Sequence, residues 1–266
     1  DLAGANFAGK NLTNAYLAAT LTDADFRNAN LTNANLNTTL AGVDFTGAEI
    51  RGATLYGLTL EQLYSTASYQ AHDLTGISLY GDLAGGNFAG QNLTNADFSS
   101  STLKDADFSS AQIRGARFYS YYDYNTKTYV GGLTLAQLYS TASYQAKDLT
   151  GVGLSGNNLG GGHFAGQNLT NANFSGATLA DADFTGAEVR GATFLPYYDY
   201  STSTYVGGLT LAQLYSTASY QAQDLSGIKL QSHNLTGGKF ADRKLINAQF
   251  DGSTLTGADF RRANLT

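Results

Sequence analysis

Ala29-Asn30-Leu31-Thr32-Asn33-Ala34-Asn35-Leu36 sets two leucines five residues apart, each with Ala two places before it and Asn one place before it. The spacing runs outward both ways, from Leu2, Phe7, Leu12 and Leu17 to Leu255, Phe260 and Leu265. A strand returns a side chain to one face every two residues and a helix every 3.6, so neither keeps a five-residue lattice on one side. The backbone must turn once in every repeat, and a period of this kind decides the architecture before any other feature is read.

The same phrase recurs in Asp105-Ala106-Asp107-Phe108, Ala182-Asp183-Phe184 and Ala258-Asp259-Phe260. In it the sequence resembles the pentapeptide-repeat family, whose motif is Ala, then Asp or Asn, then Leu or Phe, then two mostly polar residues. The resemblance covers nearly the whole chain outside three interruptions. It implies an all-β solenoid, a right-handed quadrilateral β-helix with four repeats to a coil. The residues agree with that expectation: a central Leu or Phe and the small residue two before it fill the interior, and the other three positions face water. About 41 centres at four per coil give roughly ten coils, a rod near 50 Å long at the ~4.8 Å spacing of strands.

Two irregularities carry their own expectations. The steps Leu17 to Leu21, Leu36 to Leu40 and Leu79 to Leu83 are four residues, so these corners should be tightened by one residue. Gln91, Gln167 and Arg243 stand at the small inward position, where a polar chain needs partners; the coil is expected to open there and expose them.

A longer period lies above the first. Gln62-Leu63-Tyr64-Ser65-Thr66-Ala67-Ser68-Tyr69-Gln70-Ala71 returns at 137 to 146 and at 213 to 222, and inside it the lattice stops. Thr59 to Gln62, Thr134 to Gln137 and Thr210 to Gln213 have capping-box spacing, and Leu135, Leu138, Ala142 and Ala146 fall on one helical face. Three short inserted α-helices of about three turns are expected against the rod, at about 58 to 72, 133 to 147 and 209 to 223. Residues 1–266 then read as a single repeat domain, with long units at about 1–72, 73–147, 148–223 and 224–266. Two Tyr-rich loops precede the second and third helices, at 119 to 132 and 195 to 208, and their alternating aromatics suggest a β-hairpin or a long loop in each.

Of the 266 residues 14% are charged; the net charge is -6 and the pI about 4.9. Cys, Met and Trp are absent, which removes disulfides, thiol catalysis and thiolate metal sites. No apolar run approaches the roughly 18 to 20 residues of a membrane span, and the missing Met at position 1 fits either the processed product of an exported, secreted or cell-surface parent or a piece cut from a larger protein. Catalysis needs unlike groups to converge, whereas this lattice supplies rows of like ones. Asp25, Asp44, Asp97, Asp107, Asp183 and Asp259 read as solvated carboxylates, and His72, His163 and His233 as surface residues. Gly85-Gly86 and Gly160-Gly161-Gly162 lie inside the lattice and not between a strand and a helix, so they read as corners and not phosphate loops. No catalytic residue, metal or cofactor is expected.

Tyrosine gives large contact area at low entropic cost, so the candidate interaction residues are Tyr121, Tyr122, Tyr124 and Tyr129 in the first loop and Tyr197, Tyr198, Tyr200 and Tyr205 in the second. The expected function is that of a non-enzymatic scaffold or self-assembling, filament-forming rod. Its partners are then a second copy of the chain in an oligomer or end-to-end polymer, or a protein or glycan held by the Tyr loops; nucleic acid and a membrane span are not expected. The resemblance also implies a DNA-mimicking, gyrase-interacting protein as an alternative. Duplex DNA carries about one negative charge per 1.7 Å, so a rod near 50 Å would need on the order of thirty, far more than this chain has.

Overall fold

The computed structural model describes residues 1–123, 128–199 and 203–266, with the side chains of 122, 123, 128, 129 and 204 left aside. It divides into two compact units, Asp1–Gly132 with Gln137–Ser143, and Leu133–Ala136 with Tyr144–Thr266.

The repeat centred on Phe26 shows why the motif reads as it does, because each of its five backbone N–H groups has a partner. Phe26 donates to the Asp44 carbonyl of the next coil (2.8 Å), and Asn28 to Thr46 of the same coil (2.9 Å). Asn30 donates back to Lys10 of the previous coil (2.9 Å), and Ala29 donates to Phe26 (3.0 Å), closing the turn. The fifth, Arg27, donates to the Asp25 carboxylate at 3.0 Å. Asp and Asn are suited to turning back on the backbone two residues on, an Asx turn, which Ser and Thr make only more weakly. The Asp and Asn rows are therefore structural acceptors as well as solvent-facing groups. The second residue after most centres is left-handed, as at Asn28 (φ 56°), which gives these corners the form of a type II turn and favours Gly or Asn there.

Parallel pairing sets the coil length. Asn87 pairs with Asp107 and Asn168 with Glu188, twenty residues on, or four repeats. Asn6 pairs with Asp25, Asn30 with Glu49 and Asp73 with Asn92, nineteen residues on, and each of these coils contains one of the four-residue steps. Three coils in the first unit also form short strands β1 (Asn35–Leu36), β2 (Thr54–Tyr56) and β3 (Ser78–Tyr80), paired in that order.

The interior of each unit is a column of like side chains. In the first, Phe88 stacks on Phe108 and Phe98 on Phe118, with centroids 5.1 and 5.4 Å apart. In the second, Phe164 stacks on Phe184 at 5.2 Å and Phe174 on Phe194 at 5.3 Å. All eight rings are buried, and truncating one to Ala costs about 3–5 kcal/mol.

Each helical interruption is two helices, not one of three turns: α1 (Leu60–Ser65) and α2 (Ala67–Gln70), α3 (Leu135–Ser140) and α4 (Ala142–Gln145), α5 (Leu211–Ser216) and α6 (Ala218–Gln221). The break falls at Thr66, Thr141 and Thr217. Thr66 is extended (ψ 149°), and its hydroxyl accepts from the Tyr69 N–H, so it ends one helix and caps the next. Nor do the helices lie against the coil; they replace part of it. Gly47 donates to Ser65 and Ala67 to Ala48, both at 2.9 Å, as coil residues would. Gln62 donates through its amide to both Leu40 and Val43 carbonyls, and Gln213 to Leu179 and Ala182. Leu63, Leu138 and Leu214 enter the core, while Ala146 is exposed and off the expected face.

The inward polar residues also differ from expectation. Gln91 and Gln167 are buried, and their amides donate to the Tyr69 and Tyr144 carbonyls at 3.1 and 3.0 Å. Arg243 is half-buried with its guanidinium 4.2 Å from the Tyr220 ring centre, a cation–π contact in place of an opened corner.

Candidate interaction surface

The Tyr-rich segments form antiparallel hairpins, β4 (Ser120–Asp123) with β5 (Thr128–Gly131) in the first unit, and β6 (Tyr197–Asp199) with β7 (Thr204–Val206) in the second. Register sets Tyr121 opposite Val130 and Tyr122 opposite Tyr129 in one, and Tyr197 opposite Val206 and Tyr198 opposite Tyr205 in the other. Tyr198 and Tyr205 meet edge to face with centroids 5.2 Å apart, a pairing worth about 0.5–1.5 kcal/mol. Neighbours on a strand face opposite ways, so Tyr197 and Tyr198 place aromatic surface on both faces of their ribbon. Tyr124 and Tyr200 lie outside the described residues, as do the side chains of Tyr122 and Tyr129.

Tyr121, Tyr197, Tyr198 and Tyr205 are 38%, 39%, 40% and 55% exposed. Among the described residues ten large apolar side chains are exposed, and six of them (Tyr119, Tyr121, Leu195, Tyr197, Tyr198 and Tyr205) belong to these two segments. At the foot of the second hairpin a groove of about 650 Å³ runs between Pro196, Tyr205, Leu209 and His233.

His233 is buried, which corrects its reading as a surface residue, whereas His72 and His163 are exposed. Its Nε2 accepts from the Leu209 N–H at 3.1 Å. Burial holds the ring below its usual 6.5. The lattice phase carried the signal, since His233 stands two before Leu235, at the small inward position.

The helix tyrosines, absent from the expected surface, have a different task. Tyr64 accepts from the Asn87 N–H at 2.7 Å and Tyr69 donates to the Asn87 carbonyl at 2.8 Å. Tyr215 and Tyr220 grip Lys239 in the same way, at 2.9 and 2.8 Å. These are the two backbone groups that a preceding coil would otherwise bond.

The charged rows form ion pairs along the coil edges. The Arg27 side chain, then its backbone N–H, holds the Asp25 carboxyl at about 2, and Arg261 does the same for Asp259. Ser68 and Ser219 accept from the Ile50 and Val189 N–H groups and donate to Glu49 and Glu188, which makes them structural links. Burial pushes the Tyr69 and Tyr80 phenols up, away from an ionised form. Among the described residues no three His, Asp or Glu side chains converge as a metal-binding group, and no helix is long and apolar enough to cross a membrane.

The family model for pentapeptide repeats matches in eight copies, over residues 1–37, 18–62, 82–118, 148–186, 158–194 and 244–266. The chain belongs to the pentapeptide-repeat family. Members of the family form right-handed quadrilateral β-helices and are non-enzymatic interaction proteins. Among solved structures this pentapeptide-repeat chain is similar to HetL of Nostoc sp. strain PCC 7120, a protein involved in heterocyst differentiation regulation, at 20% identity over 98% of this chain and 86% of that one, with a TM-score of 0.25. A pentapeptide-repeat protein of the Arabidopsis thaliana thylakoid lumen is 22% identical over 43% of this chain and 65% of that one, with a TM-score of 0.23. QnrB1, a plasmid-mediated fluoroquinolone resistance protein, is 12% identical over 98% of this chain and 89% of that one, with a TM-score of 0.24. These superpositions are loose, and the family assignment rests on the repeat. No curated protein matches the sequence at a significant level.

Proposed function

We propose that this chain is a non-enzymatic scaffold whose two Tyr hairpins are contact surfaces for a protein partner, a second copy of the chain included. The observation that carries the reading is the concentration of exposed aromatic area on the hairpins, beside coils whose large apolar side chains are, among the described residues, mostly buried. A two-stranded ribbon is marginal by itself in water, and Tyr is favoured where a surface must be buried at low entropic cost. The coils of each unit give its hairpin a stiff support, and the hairpins supply recognition. Nothing in the charge rows favours the DNA-mimicking alternative: the Asp side chains are engaged with Arg and backbone N–H groups of their own chain.

Replacing Tyr121, Tyr197, Tyr198 and Tyr205 with Ser tests the reading. Sedimentation velocity over a concentration series measures association between copies, and affinity capture compared between the wild-type and substituted chains identifies other partners. The expected result is a folded chain that loses association or loses specific partners. An unchanged association state and an unchanged partner set would refute it, and loss of glycan binding in place of protein binding would redirect it to carbohydrate.

A further inference from the structure

We propose that His233 is an acid-operated latch on the strap joining the second Tyr hairpin to α5. The strap is Gly207-Gly208-Leu209, and it lies against the His233 ring. A Cβ at Gly208 would come within 2.6 Å of Nε2, and the Leu209 N–H donates to that nitrogen at 3.1 Å. Nδ1 is 2.9 Å from the Gln231 carbonyl, and the His233 backbone N–H donates to the Ser253 hydroxyl at 3.1 Å. Because Nε2 accepts, the proton sits on Nδ1 and the ring is neutral.

Protonation reverses the chemistry of that contact. Nε2 becomes a donor facing the donor of Leu209, so the bond is lost and a charge is created in a site only 5% exposed. Among the described residues lining the adjoining groove there is no carboxylate to hold the imidazolium. Release of the strap relieves both penalties and frees residues 206–211.

The chain carries its own control one long repeat earlier. There Asn157 is also buried, and its Oδ1 accepts from the Leu133 N–H at 2.7 Å while its Nδ2 donates to the Ser155 carbonyl two residues back. Asn makes the same pair of bonds as neutral His and does not titrate. The inference is independent of the partner-binding reading, since its readout is the strap itself.

The test is amide hydrogen exchange of the full chain at pH 7.5 and 5.5, corrected for intrinsic exchange, comparing residues 206–211 with 130–135. Losing a buried hydrogen bond is worth about tenfold in local opening, so 206–211 should open about tenfold more at pH 5.5 while 130–135 stays unchanged. His233→Asn should abolish the response, and Asn157→His should install it at 130–135. An equal response of the two segments in the wild-type chain, or a response retained in His233→Asn, would overturn the proposal. Should either variant fail to fold, the wild-type comparison decides alone.

Discussion

Tyr64 and Tyr69, whose rings lie 4.7 Å apart, divide a single residue between them: one hydroxyl accepts from the N–H of Asn87 and the other donates to its carbonyl. Where α1 and α2 replace coil, two phenols thus do the work of two peptide groups. Tyr69→Phe leaves the carbonyl without its donor and should cost about 1 kcal/mol, measured by urea unfolding. The equivalent Tyr220→Phe should cost more, because Tyr220 is more buried.

Asp107 tests the Asx bond apart from charge. Its carboxylate accepts from the Ser109 N–H at 2.8 Å. Asp107→Asn keeps that acceptor and should leave the unfolding midpoint nearly unchanged, whereas Asp107→Ala should lose about 0.5–1.5 kcal/mol. Equal losses in the two variants would show that the charge matters and not the turn.

Two glycines separate backbone strain from contact. Gly237 has φ 69° with open space where a Cβ would go, and Gly208 has φ 77° with the His233 ring in the way. Gly237→Ala should cost about 1–2 kcal/mol for the left-handed backbone. Gly208→Ala adds displacement of the ring and should cost at least twice that, read from thermal unfolding.

Asp25 contributes to the acid limb, as Asp259 does. Its folded value of about 2 lies below the ordinary 3.8, so the stabilisation is complete above 3.8 and is lost as pH falls toward 2. Arg27→Ala removes the largest cause but keeps the backbone N–H bond at residue 27, so carboxyl titration by NMR should show the Asp25 value rise part-way and stay below 3.8.

The lattice, its four-residue steps and the presence of helical interruptions were legible because each is a matter of spacing. The break at Thr66 was not, because Thr66 to Tyr69 lacks the Gln that marks Thr59 to Gln62 as a capping box. The depth of Gln91, Gln167 and His233 was implicit in phase: each stands two before a centre, and polarity outweighed position in the reading. Their burial is permitted by helix carbonyls and a strap N–H that only the folded chain brings near. The hairpin tyrosines were visible as composition, but their division from the helix tyrosines is a matter of what each hydroxyl meets.

That division is the centre of the account, and equilibrium urea unfolding of two triple variants tests it most directly. The Tyr144 hydroxyl donates to the His163 carbonyl at 2.7 Å, as those of Tyr69 and Tyr220 do to Asn87 and Lys239, so Tyr69→Phe, Tyr144→Phe and Tyr220→Phe together should cost about 3 kcal/mol or more. Tyr197→Ser, Tyr198→Ser and Tyr205→Ser together remove three exposed rings and should cost no more than about 1.5 kcal/mol, the worth of one aromatic pair. A larger loss from the hairpin variant than from the helix variant would contradict the account, because the hairpin tyrosines would then be holding the fold.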